Sequence, residues 1–260
     1  MSDKAKIHPT AIVSKNARLS SGVEVGPYSV IEDNVKIGKG SVIGPHCLIT
    51  GFTSIGAGCR IFKGAVLGSP PQDLKYKPCR SYVEIGDANT IREFVTVNPG
   101  TDEGTKTIIG NDNLIMAYSH IAHDCSIGSH CVLANAATLA GHVEIADRAV
   151  VGGLVAIHQF CRMGRLSIVG GCSKVVQDIP PFAMADGHPA RVKGINLVGL
   201  RRAGIGRESI QMLKKAFKVL FFESHTLRRA SELVKEEFGS SPEIDHLLTF
   251  LASSSRGLAR

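Results

Sequence analysis

The sequence contains no tryptophan, and aromatic residues make up only 5% of it. The 43% apolar content is therefore mostly aliphatic, and it is enough to bury a real core. No apolar stretch approaches the roughly 20 residues of a membrane span. The opening segment "MSDKAKIHPT" has no apolar centre of the kind a secretory leader needs. There is no Cys-x-x-Cys, and the seven cysteines are an odd number. These absences argue against a disulfide framework and point to reduced thiols in a cytoplasmic protein.

What is present is glycine, at 28 residues, and an uneven positive charge. Residues 1–190 carry 17 Lys/Arg and 16 Asp/Glu, net +1, whereas residues 191–260 carry 13 and 7, net +6. The 260 residues suit one large domain with a smaller appendage, and the charge places the appendage at the C-terminus. A basic appendage points to an acidic partner or to a solvated helix surface.

An internal repeat sets the architecture. Every sixth residue from Ile7 through Val13, Leu19 and Val25 to Leu67 is aliphatic. The pattern returns at Ile85, Ile91 and Val97. It then runs unbroken from Ile109 to Val175, with Met163 as its one sulfur-containing member. The residue four places on is small or β-branched, as at Ala11, Val23, Cys47, Cys59 and Ala65. Helices repeat near 3.6 residues and simple strands at 2, so a strict period of six fits neither. It suits a parallel β-solenoid in which each hexad is a short strand and a corner, and three hexads make one triangular coil of 18 residues. Coils of this kind stack at about 4.8 Å. Glycine after the aliphatic residue, as in Ile37-Gly38, reads as a sharp corner that tolerates little side chain.

Two segments break the period and read as excursions from the coil, 68–83 and 99–107. The first carries Asp73, Lys75 and Lys77. Long loops on a rigid scaffold are common places for function, although a solvated loop is the ordinary alternative. The division expected is a solenoid over 1–190 and a helical domain over 191–260. Helices are predicted over 207–222, 226–238 and 242–251, the last with Ser241 as N-cap and Pro242 in the first turn.

The 18-residue coil also converts spacing into position. Asp124 falls under His142, His123 under Gly141, and Ala122 under Ala140 and then His158. His120, His123, His142 and His158 thus gather on one side of the prism. Three readings compete for this cluster. As a metal site, His120, His123, Cys125 and His142 are the candidate ligands. Their spacing matches no common structural zinc pattern, and Cys125 sits at the small interior position of its hexad. As packing, each histidine is a satisfied surface group, the ordinary reading for an isolated one such as His8, His46 or His130. As a catalytic base, one neutral imidazole takes a proton from a hydroxyl or amine. An adjacent Asp favours the imidazolium, and the Gly141 N–H stabilises an oxyanion.

The motifs "SHIAHDCSIG", "LAGHVEI", "AIHQFCRMG", "GGCS", "PPQDLKYK", "GINLVGLRR" and "SRGLAR" resemble those of the UDP-N-acetylglucosamine 3-O-acyltransferases, a hexapeptide-repeat family. The resemblance covers essentially the whole chain. It implies a mainly β fold, a left-handed parallel β-helix with a C-terminal α-helical domain, although parallel crossovers are normally right-handed. It implies transfer of a (3R)-hydroxyacyl chain from acyl carrier protein to the 3-hydroxyl of UDP-N-acetylglucosamine, the first step of lipid A synthesis. It implies no cofactor beyond the carrier's phosphopantetheine thioester as co-substrate. It further implies a homotrimer with sites between subunits, and a basic tail that receives the acidic carrier rather than nucleic acid.

By the same resemblance, His123 is the general base, Asp124 its hydrogen-bond partner and Gly141 the oxyanion donor, with no metal. Asp73, Lys75, His120, His142, His158 and Gln159 would line the sugar-nucleotide and acyl groove. Asn196 and Arg202 would contact the nucleotide, and Gly171 would leave room for a longer acyl chain. Val198 and Ala203 stand where many members carry Glu and a second Arg, and "VNPGT" replaces a common His-Arg-Gly version. Those departures leave a 3-amino sugar open as acceptor. The alternatives are another hexapeptide acyltransferase or a zinc γ-carbonic anhydrase-like protein.

Overall fold

The computed structural model describes residues 4–260; the first three residues of the segment read for a leader lie outside it. Most strands are only two residues long, such as Val30–Ile31 and His120–Ile121, with the second residue buried. They stack in three sheets of eleven, nine and eight strands. Pairing is parallel throughout except for the final pair, Ala183–Gly187 with Ala190–Ile195, which is antiparallel. The chain visits each sheet in turn, and the prism winds left-handed.

The hexad explains the interior. Ile31, Ile37, Ile43 and Ile49 are almost completely buried, as are the small residues four places on, Val35, Cys47, Cys59 and Ala65. A short strand of β-branched residues presents one side chain inward per turn, and the narrow corner admits only a small second one. The corners themselves run through the left-handed region of backbone space, at non-glycine residues such as Tyr28, Asn34 and His46. That conformation costs an L-residue about 1–2 kcal/mol. The backbone hydrogen bonds between coils hold it, for instance His46 N to Pro27 O at 3.0 Å. The glycine after the aliphatic residue has a different cause from a tight corner. A Cβ on Gly38 would overlap the Gly56 carbonyl carbon of the coil above, so glycine is required by coil stacking.

Both excursions insert whole hexads. Phe52 pairs with Tyr82 and Arg60 with Thr90, 30 residues apart instead of 18. Tyr82 pairs with Lys106 and Thr96 with His120, 24 residues apart. The register therefore survives, and the extra chain bulges outward without shifting any core residue.

The last regular coil ends at Lys174–Val175, and sheet structure continues to Ile195, so residue 190 opens the last strand. Four helices follow: α1 Leu197–Arg202, α2 Arg207–Phe217, α3 Leu227–Phe238 and α4 Pro242–Ala252. The chain continues past α2 in a wider turn over Lys218–Phe222. The three longer helices match the predicted ones, and Ser241 caps α4 by accepting from Ile244 N at 3.3 Å. Helix α1 is not visible in the apolar spacing, because it is only 6 residues long. Leu200, Ile210, Leu213, Phe217 and Leu220 are buried and extend the core beyond the coil.

Candidate active site

His123 and Asp124 lie at the corner that follows the strand His120–Ile121. Asp124, His142 and Phe160 occupy the same corner of three successive coils, each in the left-handed conformation with φ of 57°, 59° and 64°. His142 N donates to His123 O at 3.0 Å and Phe160 N to Gly141 O at 3.2 Å, which fixes the stack. The His142 ring lies flat on Phe160 with centroids 4.6 Å apart, and meets the His123 ring edge-on at 5.1 Å.

Asp124 is the hub. Its Oδ2 lies 3.0 Å from His123 Nδ1 and accepts from Thr101 N at 3.1 Å and Thr101 Oγ1 at 2.8 Å. His142 Nε2 stands 3.7 Å away. The Asp124 side chain is only 10% exposed, and that burial opposes its ionisation. Hydrogen bonds from His123, Thr101 and Thr105, with the nearby His142, outweigh it and hold the carboxyl below its ordinary value. An ionised Asp124 takes the Nδ1–H of His123, which leaves the lone pair on Nε2. Above that ring, a Cβ on Gly141 would collide with Cε1 and Nε2 of His123. A side chain here would push the His123 ring out of place, and among the described residues no acceptor engages the Gly141 N–H.

His123 and Gly141 open into a cleft of about 780 Å³. Asp73 and Lys75 of the first excursion, with His120, His158 and Gln159, line the same cleft. The Asp73 carboxylate accepts from Lys75 N at 2.8 Å and shapes that loop, from which Leu74 projects fully into solvent. His120 Nδ1 is 2.7 Å from Thr96 Oγ1. Burial, with the repulsion that a protonated His123 would add, holds His120 below its ordinary value, so the neutral form predominates at pH 7.

The remaining expected residues lie elsewhere in a single chain. His142 is taken up by Phe160 and Asp124 and does not line the cleft. Gly171 sits at the opposite corner of the cleft's face, packed toward Gly153 O. Asn196, expected at the nucleotide, is buried as the cap of α1: its Oδ1 accepts from Gly199 N at 3.0 Å and its Nδ2 donates to Leu166 O at 2.9 Å. Arg202 is exposed at the end of α1. The four ligands of the metal reading do not converge. The Cys125 thiol is buried, held up at about 12 by burial, and donates to Ala140 O at 3.2 Å. His123, Asp124 and His142 do present three ligand atoms within 4.8 Å of one another.

Thr101 was not legible from the period, because it lies in the excursion "PGTDEGTKT", whose fold against Asp124 is a long-range contact. Thr96 gave a weak signal, standing one coil before His120 once the excursion is removed.

A family profile described as "Udp N-acetylglucosamine O-acyltransferase; Domain 2" matches residues 178–259. One described as "Bacterial transferase hexapeptide (six repeats)" matches 16–51 and 106–141. The acyl-[acyl-carrier-protein]–UDP-N-acetylglucosamine O-acyltransferase of Paracidovorax citrulli is 53% identical over 98% of this chain and 100% of its own. This chain belongs to the acyl-[acyl-carrier-protein]–UDP-N-acetylglucosamine O-acyltransferase family. Solved members of that acyltransferase family share its whole shape. The Bacteroides fragilis UDP-N-acetylglucosamine acyltransferase superposes with a TM-score of 0.95 at 39% identity, covering 97% of this chain and 99% of that one. The Francisella novicida enzyme gives 0.94 at 37% identity, covering 98% and 94%.

Proposed function

We propose that this chain transfers a (3R)-hydroxyacyl group from acyl carrier protein to the 3-hydroxyl of UDP-N-acetylglucosamine, the entry step of lipid A synthesis. The observation that carries the reading is the His123–Asp124 pair set under Gly141 in an open cleft. His123 Nε2 takes the hydroxyl proton as the sugar oxygen attacks the thioester carbonyl. The carbonyl oxygen becomes an oxyanion that the Gly141 N–H meets. Collapse forms the ester and expels the phosphopantetheine thiolate, which recovers the proton from His123. Asp124 stays ionised throughout and steadies the imidazolium between the two transfers.

The site is a homotrimer interface in this reading. One corner of the prism carries an exposed stripe, with Tyr28 60%, Tyr118 64% and Leu154 66% exposed. Tyr28 stacks on His46 and Phe94 on Tyr118 along it. Such a run of rings on a soluble surface marks a protein contact. A neighbouring chain also gives Arg202, His142 and Gly171 a route to the cleft that they lack within one chain. The basic helical end receives the acidic carrier, and the reaction runs in the cytoplasm.

The test is an acyl-transfer assay with UDP-N-acetylglucosamine and its 3-amino analogue across hydroxyacyl lengths. Ester formation on the hydroxyl sugar supports the reading. Turnover of the amino sugar alone moves the acceptor assignment, with Val198 and Ala203 as the first residues to revert. One zinc per chain, lost together with activity on chelation, would overturn the base mechanism in favour of a metal held by His123, Asp124 and His142.

A further inference from the structure

The C-terminal tail returns from α4 to the open end of the coil, and one residue, Asp178, fixes it. Asp178 is fully buried. Its Oδ2 accepts from Ser254 Oγ at 2.8 Å, its N donates to Gly257 O at 2.8 Å, and its O accepts from Ala259 N at 3.1 Å. Leu258 and Ala259 are buried beside it. Arg162 binds the same carboxylate through its backbone N at 2.8 Å and reaches Phe250 O and Ser253 Oγ with its guanidinium. The chain is thus pinned on both sides of Arg256, at 254 and at 257. Nothing in the reaction described above uses this tail.

Arg256 reaches His158, which lines the cleft. Its Nη2 lies 3.2 Å from His158 Nδ1, and the carbonyl of Gln159 lies 3.1 Å from the same nitrogen. The two contacts make opposite demands. A guanidinium only donates, so Arg256 needs the Nδ1 lone pair. Gln159 O only accepts, so it needs an Nδ1–H. A protonated Nδ1 would place N–H against N–H at the arginine. We infer that Arg256 is a positioning residue that holds His158 as the neutral tautomer with its proton on Nε2. The imidazole then offers the cleft a fixed N–H donor, suited to an oxygen of the sugar nucleotide or of the acyl group. This rests on the acyl-transfer reading for the identity of that oxygen, but not for the tautomer.

The experiment separates those two layers. Full-length protein is labelled with ¹⁵N-histidine, and the two-bond ¹H–¹⁵N pattern of His158, assigned by its loss in His158→Gln, reports which nitrogen carries the proton. The expected wild-type pattern is protonation at Nε2. Arg256→Gln shifts it toward Nδ1–H, now donated to Gln159 O, and Arg256→Lys retains it, with unchanged melting temperatures in both. Kinetically, Arg256→Gln raises KM about tenfold with a smaller change in kcat, the effect of one misdirected hydrogen bond. In a double-mutant cycle it adds nothing to His158→Gln. A wild-type His158 protonated at Nδ1, or an Arg256→Gln spectrum identical to wild type, overturns the inference. Additive effects in the cycle also overturn it, because Arg256 would then act on substrate directly. If the acyl acceptor proves to be a different molecule, the tautomer pattern still stands or falls by itself.

Discussion

His123 has one strong orienting partner, and the consequences of losing either can be stated separately. If His123 is the base, as proposed, His123→Ala is expected to lower kcat by roughly 10²–10⁴-fold, with the fold intact because the ring faces the cleft and not the interior; single-turnover acyl transfer and a melting curve check both parts. Thr101→Val deletes a hydroxyl donor to the ionised Asp124. Hydrogen bonds to charged groups contribute about 1.5–3 kcal/mol, so kcat should fall roughly tenfold or more with little change in KM. The titrations also have a sign. Asp124 in the folded chain titrates below its ordinary 3.8, so its stabilisation is complete above that pH and is lost as pH falls through the folded value. His120 is also lowered, from 6.5. The unfolded chain takes up that proton first, so stability declines as pH drops below about 6.5. Denaturant titrations of His120→Gln between pH 7 and 5 should show a flatter decline than wild type.

Among the elements, the hexad shows how far spacing alone can be read. The buried aliphatic and small positions follow from the period, since six residues per face leave one inward side chain per strand and one per corner. The role of the glycines did not follow, because the period gives which residue lies above Gly38 but not how closely the two backbones approach. Gly38→Ala forces a methyl against the backbone of the next coil, and overpacking of this kind costs about 1–3 kcal/mol, readable as a lower denaturant midpoint. The excursions were visible as interruptions, and Asp73 and Lys75 of the first were expected at the groove, whereas Thr101 of the second was not. Asp73 and Lys75 reach the cleft and Thr101 reaches Asp124 only because each insertion is a whole number of hexads and leaves the strands in register. Helix α1 is too short for apolar spacing to reveal, and Asn196, expected at the nucleotide, caps it.

For the whole molecule, the proposed trimer rests on what one chain leaves exposed. Tyr118 and Leu154 lie on an exposed corner, 64% and 66% accessible. On that proposal, replacing both with Glu yields monomers in sedimentation velocity that keep their helix and sheet signal but lose acyl transfer; a trimer that survives the double substitution would overturn the placement of the interface at this corner.

The sequence by itself determined the coil, its interior, its three main helices and the vertical stacking of His123 beneath Gly141. These are consequences of a fixed period, in which each residue's neighbours lie a set number of places away. The tertiary structure decided which of the gathered histidines face the cleft, that Asp124 is held by Thr101, and that the tail brings Arg256 to His158. Those depend on side-chain direction and on contacts between segments of no common period. No spacing rule carries that information.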